Sequence, residues 1–378
     1  MSEKVKVLYF VDRMLRGGIQ SLVIDWVESF DKTKLQVDFL LLDDGKEYEL
    51  EDFLRNMGCN VYKLENVWIR KFTDFFKYSK KLDEFFKMHH DYKVVHLHST
   101  SKNYMVLKYA KKYNIPIRIS HSHNIDFQTK NPIKKIFGNI LKRPLIKYST
   151  DYFACSQLAG EWLFGKSEIR KDNVCILTNG IDVQQYIFSQ ERRTLMRRKL
   201  NIPKDMFVVG HVGRLCNQKN HAKILNVFAE IKKEKQNSIL LLVGVGELEA
   251  EIKEKTEKFG LNDSVILLGT RNDIPDLLMA FDVMVFPSFY EGLPNSIIEA
   301  QATSLPCIIS DTISKEVKIT DRVVALSLDK SDSYWAKVVL DKSTEERKDM
   351  CKEITEAGFS IYDTTNRLLD ILKEYNNR

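Results

Sequence analysis

The chain has 378 residues, enough for two domains of ordinary size, each with its own core. No apolar run approaches the roughly 20 residues that a membrane helix needs. The first residues, MSEKVKVLYFVDRM, lack the long apolar core of a signal peptide, so we expect a cytoplasmic protein. The six cysteines are scattered without a CxxC pair, which favours free thiols over a disulfide framework or a zinc site.

Positive charge is concentrated in the first half of the chain. Residues 1–182 carry 30 Lys and Arg against 23 Asp and Glu, a net charge of +7, whereas residues 183–378 carry 28 against 29, a net charge of −1. No Cys/His finger, RNA-recognition signature or helix-turn-helix pattern accompanies this charge. The sequence therefore favours an anionic surface over a nucleic acid as the partner of the basic half.

The first half alternates short apolar runs with helical patterns. Strands are predicted at residues 4–11, 37–42, 60–64, 94–98, 117–120, 151–156 and 174–177. Strands that alternate with helices indicate a parallel sheet, so the first domain is predicted to be Rossmann-like. No GxGxxG follows the first strand, which argues against a dinucleotide-dependent dehydrogenase.

Two adjacent glycines, Gly17 and Gly18, separate the first predicted strand from an amphipathic helix. Glycine at such a turn lets the backbone come close to a ligand phosphate, although any tight turn can use it. Histidines cluster after two other strands, His96 and His98 in VVHLHST, and His121 and His123 in RISHSHN. We expect two of these four to be structural.

Residues 131–148 form a basic amphipathic segment, and no acid occurs from residue 127 to residue 150. The apolar residues at helical spacing are Ile133, Ile136, Phe137, Ile140, Leu141, Leu145 and Tyr148, and the bases are Lys134, Lys135, Lys142, Arg143 and Lys147. Two interpretations stay open. The segment is either a surface helix whose apolar stripe packs on its own domain, or a peripheral contact with an anionic membrane.

The second half repeats the alternation. A charged helix at 191–199 leads to predicted strands at 206–212, 238–243, 265–268, 284–286 and 306–310. The predicted domains are 1–182, joined by a C-terminal helix at about 358–378, and 183–357. The first strand of the second domain is followed by GRLCNQKNH, which contains Arg214 and Lys219. A guanidinium and an ammonium on one turn could hold a diphosphate, although a solvated basic loop has the same spacing.

The stretch MVFPSFYEGLPNSIIEAQATSLPCIISD combines a strand, a turn, a helix that begins near Asn295, and a second strand. In parallel sheets such a turn presents a helix N-terminus to anions. Glu291 and Glu299 bracket it. Carboxylates suit sugar hydroxyls, which donate hydrogen bonds to charged oxygens, although each glutamate alone would more simply be a loop or helix charge.

This string, with Glu291, Gly292, Pro294, Asn295, Glu299 and Ala300 in register, resembles the donor-binding motif of retaining family 4 glycosyltransferases. The sequence TNGID at 178–182 likewise resembles the interdomain motif of that family. The resemblance implies the GT-B fold, an α/β architecture in which two Rossmann-like domains with parallel sheets face each other across an interdomain cleft that holds the donor.

The resemblance also implies roles for individual residues. Arg214 and Lys219 would neutralise the leaving diphosphate, Glu291 would bind the donor sugar, and Glu299 would bind the ribose. The helix N-terminus at Leu293, Asn295 and Ser296 would bind phosphate, main-chain groups around Arg271 would hold the base, and Gly17 and Gly18 would lie near the diphosphate and the acceptor. By register His123 would lie beside the donor sugar, with His121 as the alternative.

The sequence therefore predicts a retaining glycosyltransferase that moves a sugar from a nucleotide diphosphate, in the first instance UDP, to a glycan or lipid-linked acceptor in surface polysaccharide assembly. No metal or other cofactor is expected, because no Asp-x-Asp triplet occurs and cations are offered instead. Two alternatives remain: a nucleotide-sugar epimerase of the same fold, and a non-catalytic subunit that binds nucleotide-sugars.

Overall fold

The computed structural model describes residues 4–15, 17–65, 74–127 and 131–376. The chain divides into two compact units, Met1–Gly180 together with Ile361–Arg378, and Ile181–Ser360. Each unit is a parallel sheet covered by helices, and each is described separately below.

The N-terminal unit contains a seven-stranded sheet in the order β3-β2-β1-β4-β5-β6-β7, and every described strand pair is parallel. Its strands are β1 (Val5–Val11), β2 (Leu35–Leu42), β3 (Val61–Leu64), β4 (Val94–His98), β5 (Ile117–Ser122), β6 (Asp151–Ala154) and β7 (Val174–Ile176). Its first helices are α1 (Gly18–Ser29), α2 (Glu49–Asn56), α3 (Asp74–Met88), α4 (Tyr104–Lys112), α5 (Pro132–Tyr148), α6 (Gln157–Phe164) and α7 (Lys166–Arg170).

The C-terminal unit contains a six-stranded parallel sheet in the order β10-β9-β8-β11-β12-β13. Its strands are β8 (Phe207–Val212), β9 (Ser238–Val243), β10 (Val265–Gly269), β11 (Val283–Phe286), β12 (Cys307–Ser310) and β13 (Val323–Leu326). Its helices are α8 (Gln190–Lys199), α9 (His221–Glu234), α10 (Glu249–Lys258), α11 (Ile274–Ala280), α12 (Asn295–Ala302), α13 (Asp332–Lys342) and α14 (Cys351–Glu356).

The last helix, α15 (Ile361–Asn376), returns to the N-terminal unit. Its Leu368 and Leu372 are buried in the same apolar cluster as the central strand β1. Gly180 makes this packing possible, because a Cβ at that position would lie 2.7 Å from the Cα of Ile361. The glycine of the TNGID string therefore has a structural reason that the sequence pattern did not reveal.

Both sheets follow the strand order 3-2-1-4-5-6 of doubly wound folds, with one further strand in the N-terminal unit. The predicted α/β architecture with two Rossmann-like sheets is confirmed. Four strands differ from the prediction by more than one residue: β2 begins at Leu35 rather than residue 37, β5 continues to Ser122 rather than ending at residue 120, β6 ends at Ala154 rather than residue 156, and β13 was not predicted. All six cysteines are free thiols. Among the described residues, no helix has the length and apolar character needed to cross a membrane.

Candidate active site

The connections of the C-terminal sheet reverse direction between β8 and β11, which lie side by side. Ligands of doubly wound folds bind at such a switch point, beyond the carboxyl ends of the strands. The loop after β8 carries Arg214 and Lys219, and the loop after β11 carries Glu291. The fold therefore places the two predicted halves of the donor site next to each other.

Lys219 and Glu291 form an ion pair in this crevice. The Lys219 Nζ atom lies 2.7 Å from Glu291 Oε1, and the two side chains are only 12% and 10% exposed. The ammonium also lies 4.5 Å from the centroid of the Phe286 ring, within reach of a cation–π interaction. The sequence assigned these residues to different parts of a donor, and the structure shows that they are partners of each other.

Gln218 holds the two loops together. Its side-chain Nε2 donates to the Tyr290 carbonyl at 2.9 Å, and its main-chain carbonyl accepts from the Phe289 N–H at 2.9 Å. Sequence reasoning missed this residue, because an uncharged glutamine beside Lys219 gives no chemical signal. Its effect is to fix the distance between the strand ends that carry Lys219 and Glu291.

The helix α12 begins at Asn295, where the sequence predicted it. Pro294 occupies the N-cap position, so no side chain caps the first turn, and that turn contains no acidic residue. Leu293 is buried, Ser296 lies in the first turn, and Glu299 follows one turn later with a half-buried side chain. An uncapped helix N-terminus of this kind suits an anion.

Arg214 is exposed in the loop after β8, and glycines of the loop after β9 lie against this loop. A Cβ on Gly244, whose φ is +130°, would lie 2.1 Å from the Gly213 carbonyl oxygen. A Cβ on Gly246 would lie 2.3 Å from the Leu215 oxygen. The loop after β9 can therefore press against both sides of Arg214 only because it carries glycine at these two positions.

Arg271 is engaged within its own loop. Its Nε and Nη2 atoms donate to the two carboxylate oxygens of Asp273 at 2.8 and 2.6 Å. This hydrogen bonding from Arg271, with a further contact from Lys199, lowers the Asp273 pKa to about 2. The side chain thus stiffens the loop after β10, and the prediction that main-chain groups here hold the base stays a prediction.

In the N-terminal unit, Gly17 is the N-cap of α1 and Gly18 its first residue. A Cβ on Gly18 would meet no heavy atom within 4 Å. The fold itself therefore does not require glycine at this position. A ligand would approach the N-terminus of this 12-residue helix through the open space at Gly18.

The four histidines lie together because β4 and β5 are adjacent and residues two apart on a strand share a face. His96 Nε2 lies 3.1 Å from His121 Nδ1, and His98 Nδ1 lies 3.0 Å from His123 Nε2. Burial lowers the pKa of all four rings, that of His123 to about 3, so they are neutral at pH 7. His121 is buried inside β5, whereas His123 follows the strand and is partly exposed.

Ligand atoms of His96, His98 and His121 all lie within 4.8 Å of one another, which raises the question of a metal site. The rings of His96 and His121 are within 5° of parallel, and their facing nitrogens are 3.1 Å apart. Two nitrogens bound to one tetrahedral zinc ion at about 2.0–2.1 Å would lie about 3.3–3.4 Å apart, which is longer than the observed distance. The spacing fits an N–H···N hydrogen bond instead.

Comparisons with known proteins agree with this architecture. The family model described as "Glycosyltransferase Family 4" matches residues 16–185, and the model described as "Glycosyl transferases group 1" matches residues 192–358. The putative glycosyltransferase EpsF of Bacillus subtilis is 30% identical over 98% of this chain and 97% of its own length. An Escherichia coli protein, UDP-Gal:alpha-D-GlcNAc-diphosphoundecaprenol alpha-1,3-galactosyltransferase, is 24% identical over 97% and 96%.

Solved structures show the same fold. The Anabaena protein HepE in complex with UDP and glucose superimposes with a TM-score of 0.79 at 17% identity, covering 98% of this chain and 99% of HepE. WaaG, a glycosyltransferase involved in lipopolysaccharide biosynthesis, gives a TM-score of 0.73 at 14% identity, with coverage of 97% and 99%.

Two doubly wound units, one of them with cations and a helix N-terminus at its switch point, define an enzyme of the GT-B type, a glycosyltransferase of the hexosyltransferase kind. The chain belongs to the family 4 glycosyltransferases.

Proposed function

We propose that the chain is a retaining glycosyltransferase that moves a sugar from a UDP-sugar to a glycan or lipid-linked acceptor in surface polysaccharide assembly. The names of similar proteins support the setting: CapH of Staphylococcus aureus, 25% identical over 97% of this chain, is a capsular polysaccharide biosynthesis glycosyltransferase. The observation that carries the proposal is the Lys219–Glu291 pair at the switch point, next to the N-terminus of α12.

The proposed chemistry depends on charge that develops on the leaving group. When the anomeric bond breaks, negative charge grows on the diphosphate, and groups already aimed at that position stabilise the transition state. Arg214, Lys219 and the first turn of α12 supply this stabilisation. No metal ion is needed in this scheme, because side-chain cations and helix N–H groups do the same task.

The ion pair gives Lys219 and Glu291 linked roles in donor binding. An ammonium has three N–H donors, so Lys219 can turn part of its hydrogen bonding to a phosphate and still contact the carboxylate. As the diphosphate takes a share of the ammonium, Glu291 Oε1 becomes available to accept from a sugar hydroxyl. Phosphate and sugar are thereby recognised together, and UDP alone satisfies only one half of the site.

The remaining residues complete the proposed donor site. Glu299 accepts hydrogen bonds from the ribose, and the loop of Arg271 lies against the base. In the N-terminal unit, the open space at Gly18 admits a ligand, and His123 contacts the donor sugar. The acceptor hydroxyl attacks from the side that the diphosphate leaves, which retains the configuration at the anomeric carbon.

Transfer assays with purified protein test the proposal. UDP-glucose, UDP-galactose and UDP-N-acetylglucosamine are supplied with a diphosphate-linked glycolipid acceptor, with the corresponding GDP-sugar as control. We expect UDP release that depends on acceptor, and NMR of the product should show the anomeric configuration of the donor. Conversion of the donor without acceptor would identify an epimerase, tight binding without turnover would identify a binding subunit, and an inverted product would refute retention.

Contact with a membrane is a separate part of the proposal, and it depends on which apolar side chains of α5 are exposed. The first half of α5 exposes Ile133 (74%), Ile136 (61%), Phe137 (44%) and Ile140 (59%), a continuous stripe, whereas Leu141 and Leu145 are buried. The expectation that the apolar stripe packs within the domain therefore holds only for the second half of the helix. An exposed apolar stripe on a basic helix suits the interface of an anionic membrane.

The bases of this helix are not equivalent. Lys135 pairs with Asp126 at 2.6 Å, and Lys142 donates to the Trp162 carbonyl. Lys134, Arg143 and Lys147 are exposed, and each would contribute on the order of 1 kcal/mol near an anionic surface. The proposed contact thus combines three charges with the stripe.

Sedimentation with phosphatidylglycerol and phosphatidylcholine vesicles tests this contact. We expect binding to the anionic vesicles that weakens with salt and is lost when Lys134 and Arg143 become Glu, or when Ile136 becomes Ser. The matched control is Lys4→Glu with Lys32→Glu, which makes the same change in net charge at the amino end of the sheet. Equal loss in both charge variants, or no binding by the wild type, would refute a specific surface.

A further inference from the structure

The strands β8 and β11 separate at the switch point of the C-terminal sheet. Their described pairing ends at Met284 with Gly210. Val285, the next residue of β11, is fully buried, so its main-chain carbonyl needs a hydrogen-bond donor. A side chain of the neighbouring strand supplies it: His211 Nδ1 lies 2.9 Å from the Val285 oxygen.

The carbonyl acceptor fixes the position of the proton on His211. A carbonyl oxygen can only accept, so the proton lies on His211 Nδ1. Burial lowers the pKa of the ring, which is therefore neutral at pH 7 and carries no proton on Nε2. Nε2 is buried without a hydrogen-bond partner in the described structure, but as a bare acceptor it leaves no N–H group orphaned. The contacts of His211 are thus consistent with one tautomer.

The His211 ring also packs against the residues that surround Lys219. It stacks on Phe286, with ring centroids 5.1 Å apart and an interplanar angle of 27°, and Lys219 Nζ lies 4.5 Å from the centroid of the same Phe286 ring. A Cβ on Gly213 would lie 3.0 Å from His211 Nε2 and 3.0 Å from Lys219 Cε. The two side chains therefore lie against the same side of Gly213, and the ring of His211 contacts the groups that set the place of the ammonium.

We propose that His211 is a positioning residue, whose Nδ1–H replaces the main-chain hydrogen bond that β8 no longer supplies to β11 and so fixes Phe286 and Lys219 at the switch point. The Val285 carbonyl and the Phe286 ring belong to successive residues of one strand, so a hydrogen bond to the first limits the movement of the second. Lys219 then keeps its ammonium beside Glu291 and in place for the leaving diphosphate. This inference rests on the proposed role of Lys219.

Two variants separate the N–H donor from the ring. His211→Phe keeps a ring that can stack on Phe286 but has no donor, whereas His211→Asn loses the ring and keeps an amide N–H at the position of Nδ1. A misplacement of about 1 Å at a catalytic group can cost about 100-fold in rate. We therefore expect His211→Phe to lower kcat about 10- to 100-fold with little change in the donor KM, and His211→Asn to recover most of that loss.

Trp335→Phe is the matched control in the same unit. Trp335 is also fully buried, and its Nε1 donates to the Ser327 carbonyl at 3.1 Å, just after the edge strand β13, which lies two strands from β11. Both substitutions remove one buried N–H···O=C hydrogen bond and keep an aromatic ring, so both should lower the melting temperature. A fall in kcat is expected for His211→Phe and not for Trp335→Phe.

Carbon–proton NMR of lysine-labelled protein reports the position of Lys219 without turnover. The ring current of Phe286 should displace the ε-methylene signal of Lys219 from the ordinary lysine position, and the loss of that signal in Lys219→Met identifies it. We expect the displaced signal in the wild type and in His211→Asn, and a shift toward the ordinary position in His211→Phe. In the Lys219→Met background, His211→Phe should cause no further loss of kcat, because the group that it positions is absent.

Four outcomes would overturn the inference: unchanged kcat in His211→Phe, an equal loss in Trp335→Phe, an unchanged Lys219 signal in His211→Phe, or no recovery of kcat in His211→Asn. The last would show that the ring, and not the N–H group, fixes Lys219. Failure of the proposed function has a different signature. Lys219→Met would then transfer sugar at close to the wild-type rate whatever His211→Phe does, and that result would refute both the role of Lys219 and the inference that rests on it.

Discussion

Removing either partner of the Lys219–Glu291 pair should affect stability and activity in different ways. Lys219→Met leaves the Glu291 carboxylate without its ammonium in a crevice where it is about one-tenth exposed, and Glu291→Gln leaves the ammonium there beside the Phe286 ring. Breaking a buried ion pair by losing one partner costs about 3–5 kcal/mol. Because both side chains keep some contact with water, we expect the lower end, about 3 kcal/mol.

For a unit of this size, 1 kcal/mol corresponds to about 2–4 °C in melting temperature, so each single variant should melt about 6–12 °C lower. The double variant Lys219→Met with Glu291→Gln has no charge left unpaired and should regain most of that loss. Its transfer activity should not return, because the cation that stabilises the leaving diphosphate is still missing. Differential scanning calorimetry and UDP release from the donor measure the two quantities on the same samples.

Lys223 provides the matched control. It lies one turn further along, its side chain is also 12% exposed, and its Nζ pairs with Asp332 Oδ1 at 2.8 Å. Lys223→Met should lower the melting temperature without a comparable loss of turnover. An unchanged melting temperature in Lys219→Met would show that the ion pair is open in solution. A double variant that is as unstable as the less stable single variant would show that the two charges do not stabilise each other. Near wild-type transfer by Lys219→Met would remove the proposed mechanism.

Three further predictions concern metal, packing and pH. Transfer should survive EDTA, and loss of turnover that a divalent ion restores would contradict a metal-free phosphate site. Gly244→Ala should lower the free energy of unfolding of the C-terminal unit in urea by about 3 kcal/mol and slow transfer, because a Cβ would strain the backbone and press on the Gly213 carbonyl. The control is Gly260→Ala, where φ is +65° and the space is open. It should lower the free energy of unfolding by about 1–2 kcal/mol and leave transfer unchanged. The free energy of unfolding should fall as pH drops below about 6.5, because the histidines of the unfolded chain bind protons and the buried rings of the folded chain do not. The loss should reach up to about 2 kcal/mol per histidine at pH 5. An unfolding free energy that stays constant between pH 7 and 5 would contradict this. Burial lowers the pKa of six histidine rings, those of His96, His98, His121, His123, His211 and His221.

Strands and helix starts could be predicted where local chemistry decides them. Strands of a parallel sheet covered on both faces appear as apolar runs, which located β8 and β11, and the Pro294-Asn295 step marked the start of α12. The strand β13 was missed because its four residues, VVAL, make a short run and the first three are only partly buried. Local composition carries little information about such a strand at the edge of a sheet.

Partners across the sheet could not be predicted. Lys219 and Glu291 are 72 residues apart, and they meet because β11 pairs with β8, which sequence spacing does not encode. His98 and His123 likewise depend on β4 lying beside β5. Helical periodicity in α5 revealed its apolar residues, but only the packing of Leu141 and Leu145 shows which stripe is covered. The sequence thus predicts chemical roles for single residues, but it does not show which residues pair, because pairing depends on which strands are adjacent in the fold.

The return of α15 to the N-terminal unit has a consequence for synthesis. Ile361, Leu368 and Leu372 complete the apolar cluster around β1, and Tyr375 donates from its hydroxyl to Asp151 at 2.6 Å. A ribosome makes these residues only after all of residues 181–360, so the unit that begins the chain is the second to finish folding. Until then β1 and α1 expose apolar surface, which chaperones would need to cover. Tags or fusions placed after residue 376 should therefore disturb the first half of the chain more than the second.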